Sequence, residues 1–121
     1  MPQANYSEKD NKNSSSLKKN KLTRKQFEKY IQTTRPYLKA DLKITDLVSD
    51  LQINRTYISS FINSEYGMNF SNYINTLRFN EFNRLREHPS TKDKSTAELS
   101  EMAGFGSYRS YSRVLEMMKK A

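Results

Sequence analysis

Two helices and the tight turn between them are encoded in Leu99-Ser100-Glu101-Met102-Ala103-Gly104-Phe105-Gly106-Ser107-Tyr108-Arg109-Ser110-Tyr111-Ser112. Ser95 and Glu98 lie just before this run at the spacing of a capping box, and Gly104 is suited to end the first helix. Phe105 then fills the turn, and the second helix begins near Ser107. This helix-turn-helix pattern, predicted at about residues 95–118, holds its second helix where it can enter a DNA major groove.

A second copy of the pattern lies earlier in the chain, in Leu47-Val48-Ser49-Asp50-Leu51-Gln52-Ile53-Asn54-Arg55-Thr56-Tyr57-Ile58-Ser59. Thr45 is a suitable N-cap for its first helix, and Asn54 is a suitable N-cap for its second. Gly67 is placed to end that second helix. The helix between Asn54 and Gly67 buries Ile58, Phe61 and Ile62 at helical spacing. The first helix-turn-helix is therefore predicted at about residues 45–66.

A long helix from about Phe70 to Glu87 is predicted to connect the two units. Its apolar anchors are Tyr73, Ile74, Leu77 and Leu85, and Pro89 ends it. At 1.5 Å per residue, a helix of about eighteen residues spans about 27 Å. A rigid connector of that length can hold two DNA-reading helices near the roughly 34 Å between successive major-groove faces.

The chain before the first unit divides into a tail and one more helix. Thr23-Arg24-Lys25-Gln26 fits a capping box, Phe27 and Ile31 share one helical face, and Pro36 ends that helix. Residues 1–22 are rich in Asn, Ser and Lys and bury too little apolar surface to offset the ordering entropy, which predicts a disordered basic tail. Residues 23–121 are thus predicted to form an all-α domain of about seven helices, two helix-turn-helix subdomains joined by the connector.

The net charge of +8 is concentrated at the amino-terminal end. Residues 1–26 hold seven Lys/Arg against two Asp/Glu, whereas residues 27–121 hold fourteen against eleven. Recognition of DNA must therefore depend on where basic side chains lie in the folded part, and not on bulk charge. The sequence contains no cysteine, which excludes disulfides and thiolate metal sites. It also contains no apolar run of the roughly 18 residues that cross a bilayer, so we expect a cytoplasmic protein.

The order of these units resembles the DNA-binding domain of AraC/XylS transcription regulators. The resemblance covers roughly residues 42–119 and is carried by Tyr73-Ile74-Asn75-Thr76-Leu77-Arg78 and by Gly104-Phe105-Gly106-Ser107-Tyr108-Arg109-Ser110-Tyr111-Ser112-Arg113. It implies a homeodomain-like fold and the output domain of a bacterial transcription regulator. Further motifs, Asn54-Arg55-Thr56-Tyr57, Phe61-Ile62-Asn63 and Tyr66-Gly67-Met68-Asn69-Phe70, resemble a subgroup whose DNA-binding domain often follows a membrane-embedded or sensory region.

The resemblance also implies the residues that contact DNA, on the second helix of each unit, called here the reading helix. In the first unit these are Asn54 and Arg55 at the helix start, where phosphate contacts are usual, followed by Thr56, Ser59, Ser60 and Asn63. In the second unit they are Ser107, Tyr108, Arg109, Ser112 and Arg113, of which Arg113 is the preferred candidate for a bidentate contact to guanine. The first reading helix is nearly neutral, because Ser60, Asn63 and Ser64 stand where the family commonly has basic residues.

Three functions are compatible with these patterns. The first is a sequence-specific reader of double-stranded DNA with both reading helices in adjacent major grooves. The second is a protein-interaction module on the same scaffold, with RNA polymerase or a sensor domain as its partner. The third is a non-specific nucleic-acid binder that depends on the basic tail. We expect neither enzymatic activity nor a cofactor or metal, because the single histidine, His88, precedes a proline and has no catalytic partner at a telling spacing.

Overall fold

The computed structural model describes residues 21–120, which divide into a smaller compact body that ends at residue 33 and a larger compact body that begins at residue 34. The described residues contain six α-helices, one 3₁₀ turn and no β-strand. The elements are α1 Arg24–Thr34, the 3₁₀ turn Pro36–Leu38, α2 Ile44–Leu51, α3 Arg55–Tyr66, α4 Phe70–Glu87, α5 Thr96–Met102 and α6 Tyr108–Lys119. The predicted all-α class is confirmed, with six α-helices and one 3₁₀ turn in residues 21–120 where about seven helices were predicted. Within residues 21–120, none of the helices has both the length and the apolar character needed to cross a membrane.

In the smaller body, α1 begins at the capping box that the sequence predicts. The Thr23 hydroxyl accepts the Gln26 N–H at 3.1 Å, and the Gln26 side-chain oxygen accepts the Thr23 N–H at 3.0 Å. Phe27 and Ile31, four residues apart on one helical face, are buried. Residues 1–20 of the predicted tail lie outside the described residues, and the disorder of the tail stays a prediction.

In the larger body, α2 and α3 form the first helix-turn-helix. Asn54 is the N-cap of α3, as predicted, since its side-chain oxygen accepts the N–H of Tyr57 at 2.8 Å. The turn between the helices depends on Gln52, whose φ of 58° lies in the left-handed region. Gly67, with a φ of 70°, ends α3 where the sequence predicts it.

The N-cap that the sequence predicts for α2 at Thr45 is wrong. The helix begins at Ile44, and its N-cap residue is Lys43 in an extended conformation. The carboxylate of Asp46 accepts the N–H of Lys43 at 2.9 Å. An acidic side chain in the first turn therefore satisfies the helix start that the hydroxyl of Thr45 was expected to cap, and its charge is favourable at a helix N-terminus.

The connector helix α4 has the bounds that the sequence predicts. Asn69 caps it by accepting the N–H of Asn72 at 2.8 Å, and the helix ends before His88. Its buried side chains are Tyr73, Ile74, Glu81, Phe82 and Leu85, and the predicted anchor Leu77 is half-buried. Both helix-turn-helix units are therefore joined by one continuous helix.

The second helix-turn-helix, α5 and α6, has a polar cap at the start of each helix, of which the capping box of α5 was predicted. Ser95 and Glu98 form the capping box, with Ser95 N–H to Glu98 at 3.0 Å and Glu98 N–H to Ser95 at 3.1 Å. The Ser107 hydroxyl caps α6 by accepting the N–H of Ser110 at 3.1 Å. Both helix starts are thus set by short polar side chains that satisfy backbone donors.

A cluster of aromatic rings fixes α6 against α4. Phe82 and Tyr111 are stacked with their ring centroids 4.3 Å apart, and Phe79 lies 5.0 Å from Phe105 and 5.7 Å from Tyr111. The cluster is completed by buried Leu85, Leu99, Ala103 and Val114. Because apolar and aromatic contacts of this density resist displacement, the second reading helix has a fixed position on the connector.

The 3₁₀ turn Pro36–Leu38 was not predicted by the sequence analysis. It packs against α4 and against the loop that joins α5 to α6. Arg78 on α4 donates from Nε to the carbonyl of Tyr37 at 2.8 Å and from Nη2 to the carbonyl of Lys39 at 2.7 Å. Gly104 has a φ of 99°, and a Cβ at this position would collide with the carbonyl of Tyr37. The 3₁₀ turn therefore contacts parts of the larger body that are far apart in sequence.

Candidate nucleic-acid interface

The outward face of α3 carries the base-reading residues that the family resemblance implies. Thr56, Ser59, Ser60 and Asn63 are all exposed, while Ile58, Phe61 and Ile62 between them are buried. Successive helical residues are about 100° apart, so Thr56, Ser60 and Asn63 share the side opposite the buried residues. The structure thus brings these side chains together on one continuous polar surface.

The start of α3 carries the two residues predicted to contact phosphate. Arg55 is the first residue of the helix and is exposed. Asn54 is exposed as well, but its side-chain oxygen is occupied by the N-cap bond to Tyr57. Its side-chain NH₂ is the group that can still donate to a phosphate, and the positive end of the helix dipole favours an anion at this place.

The corresponding face of α6 carries two arginines. Arg109 and Arg113 are exposed and one helical turn apart. Arg109 lies opposite the side of Tyr111 and Val114, and Arg113, about 100° from Val114, borders that side. Tyr108 at the first position of the helix is 51% exposed. These three side chains reach solvent as predicted and are able to contact base edges or phosphates.

Two of the predicted contact residues on the second unit are less accessible than expected. Ser112 is half-buried, because it follows Tyr111 by about 100° around the helix and so borders the packed side. Ser107 is also half-buried, and its hydroxyl both caps α6 and donates to Ser110 at 3.2 Å. Ser112 is therefore only partly accessible, its contact with DNA stays a prediction, and Ser107 has a structural role in capping α6.

The two units differ in charge. The first, residues 44–67, carries Arg55 against three carboxylates, Asp46, Asp50 and Glu65. The second, residues 96–119, carries Arg109, Arg113 and Lys119 against Glu98, Glu101 and Glu116. Electrostatic attraction for a polyanion is therefore weaker at the first unit, and the cations on its reading helix are confined to the first residue.

A cleft of about 230 Å³ lies between the N-terminal half of α4, the segment before α2 and one side of α6. Its lining residues are Ala40, Leu42, Phe70, Ser71, Ile74, Asn75, Arg78, Phe105, Ser110, Arg113 and Val114. Arg113 on the cleft wall is the residue that the sequence analysis preferred for a guanine contact. The sequence analysis did not predict this cleft, since the lining residues are spread over more than seventy positions.

A buried carboxylate with two arginine partners lies on α4 and was also missed by the sequence analysis. Glu81 accepts from Arg84 Nη2 at 2.7 Å and from Arg35 Nη2 at 2.8 Å, and it is only 8% exposed. The hydrogen bond from Arg84, followed by that from Arg35, lowers the pKa of the Glu81 carboxyl against the opposing effect of burial. Through this cluster Arg35, the residue before the 3₁₀ turn, is held against the connector helix α4.

The sequence features that were weighed as signs of catalysis are His88 and the glycine pair Gly104 and Gly106. His88 is exposed in the loop after α4, where its Nδ1 accepts the N–H of Ser90 at 3.1 Å. Gly104 and Gly106 take positive φ angles of 99° and 86° in the turn between α5 and α6. Among residues 21–120, no group of three His, Asp or Glu side chains is arranged to hold a metal ion. The expectation that the chain is not an enzyme is not tested by these observations.

Comparison with known proteins gives no match: no protein-family model, no curated protein and no solved structure matches the chain. The part of the chain that the structure describes is all-helical, with six α-helices and one 3₁₀ turn. The AraC/XylS resemblance depends on the quoted sequence motifs alone.

Proposed function

We propose that this chain is a sequence-specific double-stranded DNA-binding domain, the output part of a bacterial transcription regulator of the AraC/XylS type. The observation that carries the proposal is the paired exposure of polar side chains on α3 and α6. On α3 the residues opposite the buried side carry hydroxyl or amide groups, and on α6 the outward face carries Arg109 and Arg113 in its first half, with Glu116 one turn later. Hydroxyl, amide and guanidinium groups are groups that contact base edges in the major groove.

The scaffold supports a bipartite contact with DNA. Each unit has the helix order of a DNA-binding helix-turn-helix, and α4 connects the two without a break. Its 18 residues correspond to about 27 Å at the usual helical rise. That length is of the same order as the roughly 34 Å between half-sites one helical turn apart.

The two units would contribute unequally to binding. On α6, Arg113, the preferred candidate, and Arg109 can each supply a strong charge-assisted contact to guanine, and Tyr108 can pack on the backbone or a base. On α3, Thr56, Ser60 and Asn63 read through shorter and uncharged groups. We therefore expect the second unit to supply most of the affinity and the first unit to add weaker base preferences.

Selection from a random duplex library with the full 121-residue chain, at a stated near-physiological salt concentration, tests the proposal. We expect enriched duplexes with two short elements about one helical turn apart. Arg109→Ala should weaken binding of the enriched duplex by about 1 to 3 kcal/mol and relax the preference at one base position. Absence of any enriched sequence would overturn the proposal, and a single enriched element would restrict DNA reading to one unit.

The excess of carboxylates in residues 44–67 favours a second candidate function, a protein-interaction module. In this case the face of α2 and α3 would bind a protein such as RNA polymerase or a sensor domain, and α6 alone would contact DNA. A combined Thr56→Ala and Ser60→Ala variant distinguishes the two functions. Unchanged base preference in this variant, together with lost binding to purified RNA polymerase, would support the interaction module.

A further inference from the structure

The cleft between α4 and α6 contains two cations without a carboxylate partner. Arg78 and Arg113 both line it, and the lining includes no Asp or Glu. Within residues 21–120, the ion pairs that the structure forms join other residues, as in Arg35–Glu81, Arg84–Glu81 and Lys39–Asp46. The cleft therefore has a local charge of +2 that the protein itself does not neutralise.

Arg78 is the more enclosed of the two cations. Its guanidinium donates to the carbonyls of Tyr37 and Lys39 and lies 3.4 Å from the side-chain oxygen of Asn75. These dipoles satisfy hydrogen bonds but do not cancel the charge. Burial accordingly lowers the pKa of Arg78, which is the effect of removing a cation from water without a counter-charge. An anion in the cleft would offset that cost.

We propose that this cleft binds a phosphate group, with Arg113 as the direct ligand and Arg78 as the enclosed charge behind it. The volume of about 230 Å³ equals roughly seven or eight water volumes and lies below the ~300–1,000 Å³ of pockets for drug-sized ligands. A phosphate with a few waters fits this space. Ser71 and Ser110 add hydroxyl donors to the wall, and the Ser110 oxygen already accepts from Ser107, which leaves its O–H to donate.

Two sources can supply this phosphate. One is a backbone phosphodiester of bound DNA, an assignment that rests on the proposed function and changes the role of Arg113 from base contact to backbone contact. The other is a free phosphate or phosphorylated small molecule. The chemistry at the cleft is the same for both, because a guanidinium forms paired hydrogen bonds with phosphate oxygens in either case.

Titration of the full chain with inorganic phosphate, followed by amide NMR shifts at constant ionic strength with chloride as the reference salt, tests the site. We expect saturable shifts at Ser71, Ser110 and Arg113 in the native chain and in Arg109→Gln, the matched arginine one turn away. Arg113→Gln should abolish them. Equal shifts in Arg113→Gln, or equal loss in Arg109→Gln, would overturn the proposal.

Binding to duplex DNA identifies the source. For a backbone phosphate, Arg113→Gln should weaken all duplexes alike and reduce the slope of log affinity against log salt by about 1. Loss of phosphate binding with an unchanged salt slope would support the site and assign it to a free phosphate compound. Relaxed preference at one base position, with phosphate shifts intact, would overturn this proposal and leave the DNA-binding function in place.

Discussion

Arg78 donates from Nε to the backbone carbonyl of Tyr37 at 2.8 Å, across 41 positions of sequence. The same guanidinium also holds the carbonyl of Lys39 at 2.7 Å. Since a 3₁₀ turn leaves carbonyls without partners at its end, one side chain of the connector satisfies the segment that leads into the first helix-turn-helix. These polar contacts therefore link the segment before α2 to the connector. Helix α3 contacts α4 through Tyr66 and Tyr73, whose ring centroids are 4.6 Å apart, and α6 is held on α4 by the stacked pair Phe82 and Tyr111.

Arg78→Ala is expected to destabilise the chain by about 2 to 3 kcal/mol, because it removes charge-assisted hydrogen bonds and leaves the carbonyl of Tyr37 without its donor, while the carbonyl of Lys39 still accepts the N–H of Leu42. Chemical denaturation followed by circular dichroism measures the change. Arg109→Ala, at an exposed position of α6, is the control and should change the free energy of unfolding by less than about 0.5 kcal/mol. Equal effects of the two substitutions would show that the Tyr37 contact adds no stability.

Gly104→Ala is expected to be more destabilising than Gly67→Ala. Both glycines have positive φ angles, 99° and 70°, so either alanine costs about 1 to 2 kcal/mol of backbone strain. At Gly104 the new Cβ would also collide with the carbonyl of Tyr37, whereas at Gly67 it would meet open space. The difference between the two unfolding free energies isolates the close approach of the 3₁₀ turn. A difference near zero would mean that this turn moves away at little cost.

Glu81→Gln is expected to lower the free energy of unfolding near neutral pH by about 1 to 3 kcal/mol. The further decrease in this free energy as the pH falls should be smaller in the variant than in the native chain. The hydrogen bonds from Arg84 and Arg35 hold the pKa of Glu81 below its ordinary value of 4.5. The carboxylate therefore stabilises the fold above that value, and the contribution is lost as the pH falls through the lowered pKa. Thermal unfolding between pH 3 and pH 7 provides the measurement. A variant that loses stability in acid as steeply as the native chain would contradict the assignment.

The sequence was sufficient to predict the local elements because their signals are local. Thr23, Asn54 and Ser95 each cap the helix that follows, as predicted, and each cap bond spans three residues. The period of apolar residues likewise predicted the buried side of α3. Thr45 was the exception, since the carboxylate of Asp46 performed the capping one residue later.

The features that sequence reasoning missed depend on residues far apart in the chain. The contact of Arg78 with Tyr37, the approach of Gly104 to the same residue and the cleft walls have no local periodicity. Charge pattern predicted a weakly charged first reading helix, but it could not place Arg113 and Arg78 on the walls of one cleft. Tertiary packing determines those positions.

Asn54→Ala and Ser60→Ala form a matched pair that separates stability from recognition on α3. Asn54 caps the helix through Tyr57, so its replacement should cost about 1 kcal/mol of folding free energy. Ser60 is exposed on the outward face, and its replacement should leave stability within about 0.5 kcal/mol. If α3 reads bases, Ser60→Ala nevertheless changes the sequences enriched from a random duplex library, because a hydroxyl that contacts a base edge is lost. Identical enriched sequences for Ser60→Ala and the native chain would remove Ser60 from the set of base-reading residues.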